Sequence, residues 1–219
     1  MLSAFGSSVT KALRWKCGAL FFVQTRDTGT TTINAGTLLV NGTSASASTI
    51  VANTGTLGGI GSVGPVTINT GGTLSPGGSI GTFATGSLTL SGTFLNEIDL
   101  NNGGAAAADL TNLAGNFNIT GGTLMLALSN LPGGDVMGTY LLVANDGSDA
   151  ISGTFGSIIG LPGGLSATVD YAFSGPDSLG RIGTGNDLAV RIVPEPQSWA
   201  LLAFGALSFL AFRFRRRSA

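Results

Sequence analysis

Apolar and polar residues alternate with a two-residue period along much of this chain. Leu124, Leu126 and Leu128 fall on one side of such an alternation. So do Leu165, Ala167, Val169, Tyr171 and Phe173, and again Leu188, Val190 and Ile192. Side chains of a β-strand point to its two faces in turn, so each set predicts a strand with one apolar face. No stretch between Gly29 and the tail carries a helical period. The tail breaks the alternation. From Trp199 to Phe212 it is uncharged and mostly apolar, and Arg213, Phe214, Arg215, Arg216 and Arg217 follow. The pattern predicts an all-β chain closed by one short helix.

A repeat organises the strands. Gly-Thr-Leu occurs at Gly36-Thr37-Leu38, Gly55-Thr56-Leu57, Gly72-Thr73-Leu74 and Gly122-Thr123-Leu124. Variants stand at Gly86-Ser87-Leu88, Gly92-Thr93-Phe94, Gly138-Thr139-Tyr140 and Gly153-Thr154-Phe155. The starts at 36, 55 and 72 are 19 and 17 residues apart, close to one coil of a β-solenoid. Each glycine is expected to supply a corner with positive φ, and the threonine and leucine after it to open a strand. Leu38, Leu57, Ile68, Leu74, Leu90 and Leu124 are among the residues expected to point inward.

The stretch Gly29-Thr30-Thr31-Thr32-Ile33-Asn34-Ala35-Gly36-Thr37-Leu38-Leu39-Val40-Asn41-Gly42 resembles the autotransporter-associated β-strand repeat. Leu57-Gly58-Gly59-Ile60-Gly61-Ser62-Val63, continuing into Gly71-Gly72-Thr73-Leu74-Ser75-Pro76-Gly77, resembles it too. That resemblance implies a right-handed parallel β-helix over residues 29–192, of the kind found in passenger-like surface proteins. Stacked parallel strands are expected throughout, with a frayed end coil where no cap is supplied.

The charges sharpen this picture. From Asp27 to Ile192 there are ten acidic residues against Arg181 and Arg191, a net −8 that the whole-chain value of −1 hides. A body so depleted of base lacks the electrostatic footprint for nucleic acid. No histidine and a single cysteine, Cys17, leave no intrachain disulfide and no Cys/His set for zinc. No cofactor or metal site is expected.

Composition and charge also define the tail. The fourteen residues from Trp199 to Phe212 would make a helix of about 21 Å, shorter than the ~30 Å hydrocarbon core. Phe214 and snorkelling arginines extend it into a weak anchor. Arg213, Arg215, Arg216 and Arg217 predict a cytoplasmic C-terminus, with the body on the other side of the membrane. Just ahead stand Val193, Pro194, Glu195 and Pro196, whose prolines predict an extended, accessible segment. Pro-Glu-Pro, short apolar helix and arginine cluster, in this order, closely resemble the PEP-CTERM sorting signal of Gram-negative bacteria. The resemblance implies export across the inner membrane, a tethered intermediate there, and processing by an exosortase near Pro-Glu-Pro. Residues 193–219 are the signal on this reading.

Residues 1–28 fit neither pattern. Lys11, Arg14 and Lys16 precede only seven apolar or neutral residues, Cys17 to Val23, with no cleavage site after them, so this is not a convincing signal peptide. The segment is expected to stand outside a fold that starts abruptly at Gly29, as from a truncated or wrongly started gene.

Candidate chemistry in the body is sparse. Glu97 and Asp99 lie two apart in a strand pattern and so share a face, opposite Phe94, Ile98 and Leu100. Paired carboxylates on a β-helix could serve as acid and base, but no basic residue lies near in sequence. Gly183-Thr184-Gly185-Asn186-Asp187-Leu188 is similar to one turn of a Ca²⁺-binding nonapeptide, and a single copy reads as a turn into the last strand. The sequence is therefore read as an exported, non-catalytic surface or extracellular-matrix structural or adhesion protein. Its expected partners are the exosortase and export machinery, the inner membrane as a transient anchor, and extracellular polysaccharide. A β-helix polysaccharide lyase or hydrolase, or a non-functional gene fragment, are the alternatives.

Overall fold

The computed structural model describes residues 29–195, apart from 45–47, 103–104, 132–137 and 147–148, together with two short strands ahead of them. Among the described residues every regular element is a β-strand. The two leading strands are β1 (Lys11–Leu13) and β2 (Ala19–Phe22). Most of the others fall into three columns that the chain visits in turn, curling as it goes.

The first column holds the front halves of β3 (Thr30–Val40) and β4 (Ser48–Gly59), then β6 (Val66–Ile68), β9 (Leu88–Leu90), β13 (Phe117–Thr120) and β16 (Ser152–Thr154). The second holds the back halves of β3 and β4, then β7 (Thr73–Pro76), β10 (Thr93–Asn102), β14 (Thr123–Ser129) and β17 (Ser157–Ile159). In the third stand β5 (Ser62–Val63), β8 (Thr82–Thr85), β12 (Leu110–Leu113) and β15 (Gly138–Asn145). Pairing within each column is parallel. β11 (Ala105–Ala108) turns back on β10 as an antiparallel side excursion.

The repeat sets the register. Thr37, Thr56, Thr73, Thr93, Thr123 and Ser157 pair in succession down the second column. The residue after each therefore also stacks, and Leu38, Leu57, Leu74, Phe94 and Leu124 form one buried file. Burying each such side chain stabilises the fold by about 1.5–3 kcal/mol. Ile68 and Leu90 from the first column, with Phe83 and Leu113 from the third, complete the same core. The residues expected to point inward do so. Asn96 and Thr111 interrupt this interior: both are buried, and neither side chain has a hydrogen-bond partner among the described residues. Nothing in the fold explains them.

The repeat glycines do not all work as expected. Gly36 and Gly153 do turn with positive φ, at 76° each. Gly55, Gly72, Gly92 and Gly122 do not, and their reason is close approach. A Cβ at Gly55 would lie 2.4 Å from the Ile33 carbonyl oxygen, and one at Gly92 would lie 2.4 Å from that of Gly72. The strands stack so tightly that each glycine sits against the backbone of the segment stacked before it.

Both ends depart from the sequence reading. At the front the fold does not start abruptly at Gly29. Lys11–Leu13 runs parallel to Thr31–Ile33, and Ala19–Phe22 to Thr37–Val40, so the parallel ladder extends upstream. No Gly-Thr-Leu marks these strands, which is why the repeat did not reveal them. At the back, β18 (Leu165–Pro176) and β19 (Ile182–Pro194) form an antiparallel hairpin, and β19 also pairs antiparallel with β15. Parallel stacking therefore stops after β17. The connection from Asp177 to Arg181 is far too short for a parallel crossover, which takes about a dozen residues. Leu165, Ala167, Val169 and Tyr171 pack against the end of the core, so the hairpin caps it. The Tyr171 hydroxyl accepts a hydrogen bond from the Phe155 N–H at 2.9 Å, and Phe155 in turn stacks on Phe94 with ring centroids 6.4 Å apart.

Candidate functional site

The last strand runs directly into the candidate sorting segment. Ser166 pairs with Val193 and Leu165 with Pro194, and the Glu195 N–H donates to the Gly164 carbonyl at 2.8 Å. Val193 and Pro194 are half-buried and Glu195 is exposed. Successive N–H groups of a strand point to opposite edges. Glu195 points its own at β18, so the nitrogen of Pro194 faces the other edge. There the last pairing of β19 with β15 among the described residues is that of Gly138 with Ile192. Pro194 thus turns no missing N–H toward β18, and the pairing of β18 with β19 loses no hydrogen bond to it. The segment is extended, as expected, but it is zipped to the body along one edge.

Pro196, the apolar run Trp199–Phe212 and its arginines, Arg213, Arg215, Arg216 and Arg217, lie outside the described residues. Among the described residues no helix is long and apolar enough to cross a membrane.

A second constellation joins residues far apart in the chain. Asp109, between β11 and β12, is fully buried. One of its carboxylate oxygens accepts the Gly81 N–H at 2.9 Å, and the other accepts the Glu97 N–H at 2.8 Å. Burial pushes its pKa up to about 7, against the pull of those two N–H groups; the Glu97 charge adds to the rise and the Arg181 charge opposes it. Arg181 reaches over from the hairpin connection. It donates through Nη1 to the Ala108 carbonyl at 3.3 Å and forms an ion pair through Nε with Asp177 at 2.8 Å. Asp177 also accepts the N–H groups of Leu141, Leu179 and Arg181, fastening the hairpin connection to β15. Its own burial works to raise its pKa, but the Leu141 N–H and the hydrogen bonds and charge of Arg181 outweigh this and hold it below the usual range. Tyr140 beside it is pushed up by burial and by the Asp177 charge.

Glu97 and Asp99, the two carboxylates on one strand face, meet different neighbours. Glu97 stands near Asp109, while Asp99 accepts a hydrogen bond at 2.9 Å from Asn130, just past the end of β14. Asp109 and Arg181 escaped the sequence reading because 73 residues separate Arg181 from its Ala108 partner. The Pro176-Asp177 step and Gly180 are ordinary turn signals that mark the Asp177 connection in hindsight. Asp187 accepts the Asn145 N–H at 2.7 Å and also bonds Thr184. The glycine-rich segment around it is therefore not a turn leading into the last strand but an irregular stretch within β19 itself, at its register shift against Phe173 and Ser174. No three His, Cys, Asp or Glu side chains among the described residues are grouped as a metal ion would require. The buried carboxylates act as braces, satisfying N–H groups that the ladders leave over.

Comparison with known proteins places one segment. Residues 193–217 match the family described as the PEP-CTERM protein-sorting motif. No curated protein matches the chain.

Proposed function

We propose, from the sorting motif at residues 193–217, that this is an exported, non-catalytic structural or adhesion protein of the cell surface or extracellular matrix. An exosortase processes its tail after a stage tethered in the inner membrane by Trp199–Phe212, with Arg213, Arg215, Arg216 and Arg217 as the cytoplasmic stop. The body is a right-handed β-helix of autotransporter-associated repeats. Parallel columns visited in turn support that reading, and crossovers between parallel strands are right-handed in about 98% of cases. Its acidic, hydroxyl-rich exterior suits contact with extracellular polysaccharide. The observation that carries the proposal is the motif's position, directly continuing the last strand of a folded all-β body.

A β-helix enzyme acting on polysaccharide draws on the approach of Glu97 and Asp109 beside Arg181. Against it, both oxygens of Asp109 are already taken by backbone N–H groups and no edge of that carboxylate reaches solvent.

The test replaces Glu195 with alanine in a chain given a working signal peptide. In an exosortase-bearing host, mass spectrometry should find the tail of the unaltered chain removed near Val193–Pro196. The tail should be retained in the Glu195→Ala chain, and in a host lacking the enzyme. Equal retention in all three would sink the sorting role.

A further inference from the structure

We propose that the body latches its own sorting segment: Gly164 and the start of β18, Leu165 and Ser166, hold Val193 to Glu195 in the folded hairpin, and these residues must peel away before the processing enzyme engages them. This rests on the sorting reading above. Enzymes and binding domains that take an extended peptide commonly add it to their own strands through main-chain hydrogen bonds. In this segment the available N–H groups are committed. That of Glu195 donates to Gly164, and the alternation of the strand turns that of Val193 to the same edge. The opposite edge presents Pro194, which has no N–H to offer. A partner strand approaching the folded chain therefore meets a carbonyl oxygen there and no donor.

The latch has a defined length. Ile192, one residue upstream, is fully buried and paired on both edges, with Gly138 and with Ala167. Val193 to Glu195 have a partner on one edge only, among the described pairings, and lie at the open end of the hairpin. Such ends open at the lowest free-energy cost in a fold, whereas core strands open only with the whole. Peeling thus proceeds through three residues and stops at Ile192. Gly164 sets the other side of the latch: its φ of 86° belongs to the turn in which the Leu165 N–H bonds the Pro162 carbonyl. Gly164, Leu165 and Ser166 are on this account positioning residues for tail removal, acting through the conformation of the segment they hold.

Two measurements on the full-length chain test this. Amide exchange of the detergent-solubilised protein should show the Glu195 N–H protected, and Ser166→Pro, which breaks the facing strand, should abolish that protection. In an exosortase-bearing host, with the same working signal peptide in front of every variant, Ser166→Pro should then lose its tail several-fold faster than the unaltered chain. The converse variant, in a Cys17→Ser background, pairs Ser166→Cys with Val193→Cys across the ladder. It should keep its tail until reductant is added, while Val193→Cys alone is processed like the unaltered chain. A Glu195 amide exchanging as fast as in an unstructured peptide overturns the latch. So does a cross-linked chain that loses its tail at the normal rate. An unaltered chain that keeps its tail while Glu195 is protected overturns the sorting reading instead, and the latch's role with it.

Discussion

Gly92 has no room for a methyl group. A Cβ there would lie 2.4 Å from the Gly72 carbonyl oxygen and 2.5 Å from that of Asn69, and both are backbone atoms that cannot swing aside. Gly92→Ala should therefore cost about 1–3 kcal/mol. Gly78→Ala, at a position with nothing within 4 Å, should change stability by no more than about 0.5 kcal/mol. Urea unfolding of the two variants checks the contrast. Asp109 makes a different prediction, because its pKa rises from 3.8 to about 7 on folding. Between those values the folded chain holds a proton that the unfolded chain releases. The stabilisation is fully present below the unfolded pKa and is lost as pH rises through the folded one. The urea midpoint of the unaltered chain should fall, relative to Asp109→Asn, between about pH 4 and pH 7. A flat difference across that window would show that Asp109 does not carry the shift. Asp177, held below its usual range, works in the opposite sense and loses its contribution only at more acid pH.

At the level of the element, what could be read in advance depended on which signal each strand carries. Leu124 and Leu126 announce their strand by alternation, and Gly-Thr-Leu fixes both its start and its register, so the second column was legible as far as β14, while β17 carries no such tripeptide. The hairpin was half legible. Its two apolar faces show in Leu165 to Phe173 and in Leu188 to Ile192, but alternation is the same in parallel and antiparallel strands. Only the shortness of the Asp177–Arg181 connection decides the direction, and the repeat drew attention away from it. Lys11–Leu13 and Ala19–Phe22 were missed because each is too short to show a period and neither carries the repeat. In the sorting segment, the order of prolines, apolar run and arginines was plain. Its attachment to Gly164 and Ser166 was not, since a strand partner some thirty residues away leaves no mark in local composition. The brace at Asp109 was hidden for the same reason. Burial and two N–H partners as far apart as Gly81 and Glu97 are properties of the folded chain, and Asp109 looks in sequence like any other acidic residue.

Across the whole molecule, the second column keeps its register although the residue spacing between successive members ranges from 17 to 34. Thr37 and Thr56 are neighbours in the ladder, and so are Thr123 and Ser157, which lie 34 residues apart and share a hydroxyl–hydroxyl bond of 3.0 Å. Part of the extra length goes into the longer strands β10 and β14 and the β10–β11 excursion, and the rest into the connections. Lengthening such a connection is entropically cheap, about 0.6 kcal/mol for each doubling. A six-residue Gly/Ser insertion between Gly78 and Ser79 should accordingly lower stability by under about 1 kcal/mol. A single residue inserted between Thr56 and Leu57 should prevent folding, because it turns every later side chain of that strand to the wrong face. Circular dichroism and urea unfolding separate the two outcomes. The scaffold thus divides its sequence into two kinds of inheritance. The Gly-Thr-Leu files are fixed text, while the connections are blank margin in which new surface can be written, copy by copy, without disturbing what is already stacked.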